Sequence, residues 1–400
     1  MKLYAQQGYG TGSGDRDKVI AGLAAGYIQG AIISPKDYGI DRATELLERM
    51  EGEHADADRL FDPQFYASVM AHDADGRLGK LLSSDYEPYF EPRRRSQLES
   101  ESRVRDDLRA CLGFQAGLAV TAAIAPNIVI RQRFNSIEAV ISKNFIRNAR
   151  QAWNDEGDDR PLFVTLAMDA EALQERHELE EFLSDITVMD EPPDGFYLLV
   201  NNPTSDIASE LVDARTLAGW MMMNHSLQLN GFQVINGFSD ILTPFLCAAG
   251  GTAGATGWFN TQKVFSLNRF APPAAGGMRP VPRYLSKGLL NSIRFDELHR
   301  LRGRFPNVLN GLPTDANYDL SNGSQPDDQL AEVLQTWDAI SSFATPVMEN
   351  CNLWIERAES LYNEINLNPG LRLMGRSNDA HLYLLRGGVA LFAELAEIDL

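Results

Sequence analysis

An α/β fold, specifically a (β/α)8 TIM-like barrel with a C-terminal helical extension, is predicted by three observations. Short apolar or β-branched runs alternate with stretches of helical period, and the alternation recurs eight times within roughly the first 260 residues of a 400-residue chain. The runs are apolar throughout, as expected of strands covered on both faces. No domain break interrupts the series and no phosphate-binding glycine fingerprint opens it. An open doubly wound sheet shares the alternation and is the structural alternative.

Strand one is Leu3 to Gln7, followed by Gly8-Tyr9-Gly10-Thr11-Gly12-Ser13-Gly14, whose glycine spacing is not G-x-G-x-x-G and suits a flexible loop. Asp15 is the N-cap candidate for a helix running through Val19, Ile20, Leu23 and Tyr27. Strand two is Ala31 to Ser34, ended by Pro35-Lys36-Asp37, and its helix carries Leu46, Leu47 and Met50. Strand three is Arg59 to Phe61, ending in Asp62-Pro63-Gln64-Phe65-Tyr66. A long insertion at about 67–97, turn-rich and holding Arg93, Arg94 and Arg95, reads as a mobile excursion.

A helix from about Leu98 to Val120 leads to strand four, Ile128 to Ile130, capped by Arg131 and Arg133. Strand five, Leu162 to Met168, ends at Asp169, and strand six, Phe196 to Val200, ends in Asn201 and Asn202. Strand seven is Phe232 to Ile235, ending at Asn236, and a weaker strand eight is Ala253 to Trp258. The barrel is assigned residues 1–265. Residues 266–400 read as a basic, linker-like stretch and then long amphipathic helices through Leu330, Trp337, Leu353 and Leu361.

Composition narrows the function classes. The chain has 36 Lys+Arg against 55 Asp+Glu, a net charge of −19, so a polyanionic partner requires a local basic patch. Cys111, Cys247 and Cys351 are too few and too scattered for a disulfide framework or a zinc site. The first residues turn polar without the apolar stretch of a secretion signal, which predicts a cytoplasmic protein. The charge-free run Ala110 to Ile130 is broken by Gln115, Pro126 and Asn127 and reads as a helix and a strand, so no membrane partner is expected. None of the six histidines falls at a strand end, so neither a metal centre, a cofactor nor a Ser/His/Asp arrangement is predicted.

In such barrels the reactive groups collect at the strand ends, where loops form a mouth above a packed interior. Asp62, Asp169 and Asp37 are therefore the candidate catalytic acids. Gln6, Gln7, Lys36, Gln64, Tyr66, Arg131, Arg133, Asn201, Asn202, Asn236, Thr256 and Trp258 are the candidate binding groups. Carboxylates and amides crowded round one cavity are costly unless a polar ligand satisfies them, and a pair of acids can divide the work of glycosidic cleavage. The structural alternative is that Asp62 caps its own turn and Asp169 the helix at Ala170.

Two basic islands, net +5 over residues 279–304 and net +4 over 131–150, stand out in the acidic chain. Arg279, Arg283 and Lys287, with the Arg93–Arg95 triplet, are candidate contacts for a nucleic-acid backbone, and Tyr86, Tyr89, Phe90 and Tyr284 for base stacking. The alternative is a set of solvated helix faces balanced by the acidic stretch 155–194.

Across residues 1–260 this architecture resembles the tRNA-guanine transglycosylase superfamily, including its DNA-modifying relatives. Asp62-Pro63-Gln64-Phe65 is similar to that family's Asp-Ser-Gly-Gly-Phe-Gln turn in having an acid followed by Gln and Phe. The family's zinc motif is absent. The resemblance implies cleavage of a base–sugar N-glycosidic bond by barrel-mouth aspartates after base flipping, in nucleic acid, with DNA carrying a modified base among the candidates. The alternatives are a small-molecule lyase or O-glycoside hydrolase acting on a sugar or phosphorylated substrate, with Lys36 as a Schiff-base or phosphate residue, and a non-catalytic component of a bacterial complex.

Overall fold

The computed structural model describes residues 1–70, 78–202, 213–271, 281–318, 328–343 and 346–398. Its main sheet is parallel. The strands are β1 (Lys2–Gln6), β2 (Gly30–Ile33), β3 (Asp58–Phe61), β4 (Ala123–Ala125), β5 (Val129–Ile130), β6 (Leu162–Asp169), β7 (Gly195–Asn201), β8 (Gln233–Asn236) and β9 (Ala253–Thr256). They lie in the order β3-β2-β1-β9-β8-β7-β6-β4, with β5 also paired to β6.

β4 and β5 are two halves of one barrel strand. Ala123–Ala125 face Leu162–Val164 and Val129–Ile130 face Ala167–Met168, so β4–β5 holds one extra residue, a bulge at Pro126-Asn127. Pro126 has no N–H to give the ladder, and the Asn127 side-chain amide donates to the Thr165 carbonyl instead, at 2.9 Å. The sequence reading found only the second half, because Ala122-Ala123-Ile124-Ala125 lacks the β-branched signature of a strand. Opposite ends of the sheet meet where Thr121 N donates to Arg59 O at 2.8 Å and Arg59 N donates to Thr121 Oγ1 at 2.9 Å. The eight-stranded parallel barrel is thus nearly closed, as the alternation predicted.

Inside and outside alternate along each strand, as a two-residue period requires. On β7, Phe196, Leu198 and Val200 pack outward with the helices, while Tyr197 and Leu199 join the inner cluster. On β6, Leu162, Val164, Leu166 and Met168 are outer, and Phe163 and Ala167 inner.

The helical layer comprises α1 (Lys18–Ala24), α2 (Ile40–Glu53), α3 (Glu101–Ala116), α4 (Ile137–Asp155), α5 (Arg176–Thr187), α6 (Ala214–Leu229), α7 (Thr243–Ala248) and the single turn α8 (Asn260–Lys263). Asp17, not Asp15, caps α1, accepting from Val19 N at 2.9 Å and Ile20 N at 3.2 Å.

The 78–97 part of the insertion is packed rather than excursive. Tyr86, Tyr89 and Phe90 are buried, with Tyr86 Oη donating to Tyr38 O at 2.7 Å and Tyr89 Oη to Pro63 O at 3.2 Å. Their rings belong to a core with Phe61 and Phe114 and have no free face for a base.

C-terminal to the barrel, a hairpin that the basic sequence concealed pairs β10 (Arg283–Ser286) with β11 (Asn291–Arg294). The helices α9 (Phe295–Leu301), α10 (Gln329–Ser341), α11 (Met348–Asn366) and α12 (Ala380–Ala396) follow, the helical extension expected. α10 docks on the barrel through Trp337, fully buried, whose indole N–H donates to Thr256 O at 3.1 Å. Among the described residues no helix is long and apolar enough to cross a membrane.

Candidate functional site

Asp62 follows β3 directly and is fully buried. Its Oδ1 accepts from Gln64 N at 2.9 Å, closing a turn around Pro63, and its Oδ2 accepts from the Tyr66 hydroxyl at 2.9 Å. Asp62 therefore does cap its turn, and it also faces the barrel interior. Burial pushes its carboxyl up to about 6, against the opposing pull of the Gln64 N–H, the Tyr66 phenol and the Arg269 charge. Burial, and then the nearby Asp62 charge, push the Tyr66 and Tyr197 phenols well above their ordinary range.

Gln64 holds a left-handed backbone, φ 52°, which a non-glycine residue adopts only at a cost of about 1–3 kcal/mol. The turn aims its side chain back at strand two, where Oε1 accepts from Lys36 N at 3.0 Å. Lys36 Nζ meets Asp37 Oδ1 at 3.2 Å, and Asp37 Oδ2 lies 3.4 Å from Arg269 Nη2. Tyr197 reaches the same centre from β7, its hydroxyl donating to Gln6 Oε1 at 3.2 Å. A methyl group on Gly237 would stand 2.8 Å from that hydroxyl and 2.6 Å from the ring, so glycine there makes room for the phenol.

Gln6, Asp37, Asp62, Gln64, Tyr66, Tyr197 and Arg269 thus form one buried polar cluster at the C-terminal ends of the strands. Several of its atoms have no hydrogen-bond partner: Gln6 Nε2, Ser34 Oγ, Gln64 Nε2, and Nε and Nη1 of Arg269. Each unmet buried donor or acceptor costs about 1–3 kcal/mol, and this cluster and the adjoining Ser34 hold five such atoms.

Asp169 belongs to a second, satisfied cluster. Its Oδ1 accepts from Asn201 Nδ2 at 2.6 Å, while Oδ2 meets Arg131 Nε at 3.0 Å and accepts from Gln132 N at 3.3 Å. It does not cap the turn at Ala170. Asn201 Oδ1 accepts from Leu267 N at 2.8 Å, and Asn202 N donates to Phe265 O at 2.9 Å, so both tie β7 to the last barrel loop.

Other predicted binding groups have structural partners. Gln7 bridges Ser34 N and the Gly8–Thr11 loop. Asn236 points at α6, accepting from Trp220 Nε1 at 2.7 Å and exchanging hydrogen bonds with Asn224. Trp258 donates to Tyr9 O at 2.8 Å, and Lys18 Nζ lies over its ring, 5.2 Å from the centroid. Thr256 donates to Asp240.

The basic track is largely neutralised within the chain. Arg93 is only 3% exposed, pairs its Nε–Nη2 edge with Asp107, donates from Nη1 to Glu91 O and covers the Phe65 ring, so it offers no face to a phosphate. Arg95 meets Glu138 at 3.1 Å, and Arg133 meets Glu178, which belongs to the acidic stretch 155–194. In the second island Arg283 donates to Ser292 O and Ser377 Oγ, and Lys287 Nζ to Ser342 O at 2.9 Å. Burial of Tyr284 removes another proposed stacking face. Arg94 is exposed, and Arg279 lies outside the described residues.

Sequence reasoning passed over Tyr197 and Arg269. Tyr197 is the polar-tipped member of an apolar run, Phe196 to Val200, and was legible as an exception to it, whereas Arg269 stands in the mixed segment Val264 to Phe270, which gave no such signal. A cavity of about 560 Å³ lies elsewhere, on the outer layer between α5, α6 and α12, lined by Leu173, Leu179, Leu183, Met222 and Leu391. Arg176, Glu180 and Arg215 also line it, and it shares no residue with the cluster at the strand ends. Compared with protein-family models and with curated proteins, the chain matches none.

Proposed function

We propose that this chain cleaves a glycosidic bond at the barrel mouth, the base–sugar N-glycosidic bond first among candidates, with Asp62 as the acid–base group. The observation that carries the reading is a fully buried carboxyl, half-protonated near pH 6, ringed by Tyr66, Tyr197 and Arg269. As the C–N bond breaks, the protonated Asp62 delivers its proton to the departing nitrogen, and the electron pair of the bond leaves with the base. Water then adds to the sugar carbon and returns a proton to the Asp62 carboxylate, so hydrolysis closes without a further reactant. Asp37, between the Lys36 and Arg269 cations, supplies the second carboxylate facing the developing positive charge. The unmet amides of Gln6 and Gln64 would read the edge of a planar heterocycle.

The internal pairing of Arg93, Arg95, Arg131 and Arg133 favours a second form of this reading, in which the substrate is a small glycoside or nucleoside rather than a polymer guided along a cationic track. One experiment addresses both. The protein is incubated with nucleosides, plain and modified DNA and RNA, and aryl glycosides, and released bases or aglycones are measured by mass spectrometry. Release that disappears in Asp62→Asn supports the proposal; no release from any substrate, or release undiminished by the substitution, refutes it.

A further inference from the structure

We infer that Arg269 selects the substrate by binding a singly charged oxyanion on it, a carboxylate or a phosphodiester, at the barrel mouth. The inference rests on reading the mouth as the substrate site. Arg269 sits in the short turn Leu267–Phe270 after the last barrel strand, its side chain 6% exposed. Phe238 and Phe270 each lie 5.4 Å from its Cζ, which fixes the guanidinium by apolar walls rather than by acceptors. Its one polar contact among the described residues is the 3.4 Å approach of Nη2 to Asp37 Oδ2, while Nε and Nη1 have none.

A guanidinium presents five N–H donors and stays charged in proteins, so burial behind a single long contact is costly until another acceptor arrives. Asp37 cannot fill that role alone, because Lys36 Nζ already holds its other oxygen at 3.2 Å. The Arg269 charge acts on Asp62 and Tyr197, which bond to Gln64 and Gln6, two glutamines whose amide Nε2 atoms are unmet. An oxyanion suits the planar fork, and preorganisation between two rings means little side-chain freedom is lost on binding. With the Asp37 and Asp62 carboxylates close by, a monoanion is preferred over a dianion, which both would repel.

The test titrates the full chain, at constant ionic strength, with acetate, dimethyl phosphate and inorganic phosphate, and with the neutral analogues acetamide and trimethyl phosphate. Calorimetry and thermal shift are the readouts. The expected result is that acetate or dimethyl phosphate binds while its neutral analogue does not, that inorganic phosphate at a pH where it is dianionic binds more weakly, and that Arg269→Gln and Arg269→Lys each weaken binding at least about tenfold. Preference for acetate identifies a carboxylate substrate, and preference for dimethyl phosphate a nucleic-acid-like diester. Neutral analogues binding as well as the anions would overturn the inference, as would full affinity in Arg269→Lys, a variant that keeps the charge should the Gln variant fail to fold. Asp62→Asn separates the two ideas: anion binding that persists in a protein without glycosidic turnover leaves this inference standing and removes the function proposed above, and turnover without Arg269-dependent anion binding does the reverse.

Discussion

Asp62 after β3 and Asp169 at the end of β6 occupy equivalent places in the barrel, yet their surroundings differ in kind. Asp169 finds a guanidinium, an amide and a backbone N–H, each of its oxygens is engaged, and its neighbour Arg131 has a side chain 52% exposed to solvent. Asp62 finds two phenols and a backbone N–H in full burial, beside amides and a guanidinium whose donors are unmet. The acid of one cluster has every oxygen engaged, and the other cluster keeps unmet buried donors. Position at a strand end nominates a residue; the accounting of its polar partners separates tie from site.

The comparison can be broken most sharply by replacing each acid. Asp62→Asn is expected to lower turnover by about 10²–10⁴-fold, the usual contribution of a positioned acid–base group, whereas Asp169→Asn should leave turnover within a few-fold and act on stability. Steady-state kinetics on whichever substrate the mass-spectrometric panel identifies checks both. Next in size is Arg93→Ala, which leaves the buried Asp107 carboxylate only its longer pairing with Arg103 and should cost about 3 kcal/mol in denaturant unfolding.

Stability against pH gives the third contrast. Because the folded Asp62 carboxyl is raised to about 6 from the ordinary 3.8, its contribution is fully present below about pH 4 and is lost as pH rises through 6. The two-unit rise corresponds to about 3 kcal/mol, so Asp62→Asn should flatten the pH 4–6 slope and be the more stable protein at pH 7. Gly237→Ala, which crowds the Tyr197 phenol, is expected to cost about 1–3 kcal/mol and to reduce turnover along with it. The smallest effect belongs to Arg133→Ala, whose exposed pair with Glu178 should be worth less than about 1 kcal/mol.

The barrel was legible because its evidence is periodic. Each strand had to be apolar on both faces and each helix on one, and those constraints leave a mark in every repeat. Ala123–Ala125 escaped notice since small residues pack a barrel strand without β-branched side chains, and the hairpin Arg283–Arg294 since its cations pair with carbonyls and hydroxyls rather than with solvent. Half of the candidate site could be read from the single segment Asp62 to Tyr66. Gln6 and Asp37 were nominated as strand ends, while Tyr197 and Arg269, distant in sequence, join them only through barrel closure. Arginine clusters misled for a related reason: the carboxylates that neutralise them lie on neighbouring helices, roughly 40 residues away for Arg95 and Arg133, beyond any local count of charge.

The central claim is that Asp62 is a buried acid whose carboxyl is pushed up to about 6. Carbon-13 NMR of aspartate-labelled protein, with the Asp62 carboxyl assigned by its disappearance in Asp62→Asn, measures this directly. The account predicts a carboxyl that titrates near pH 6; a resonance already ionised at pH 4 would contradict it.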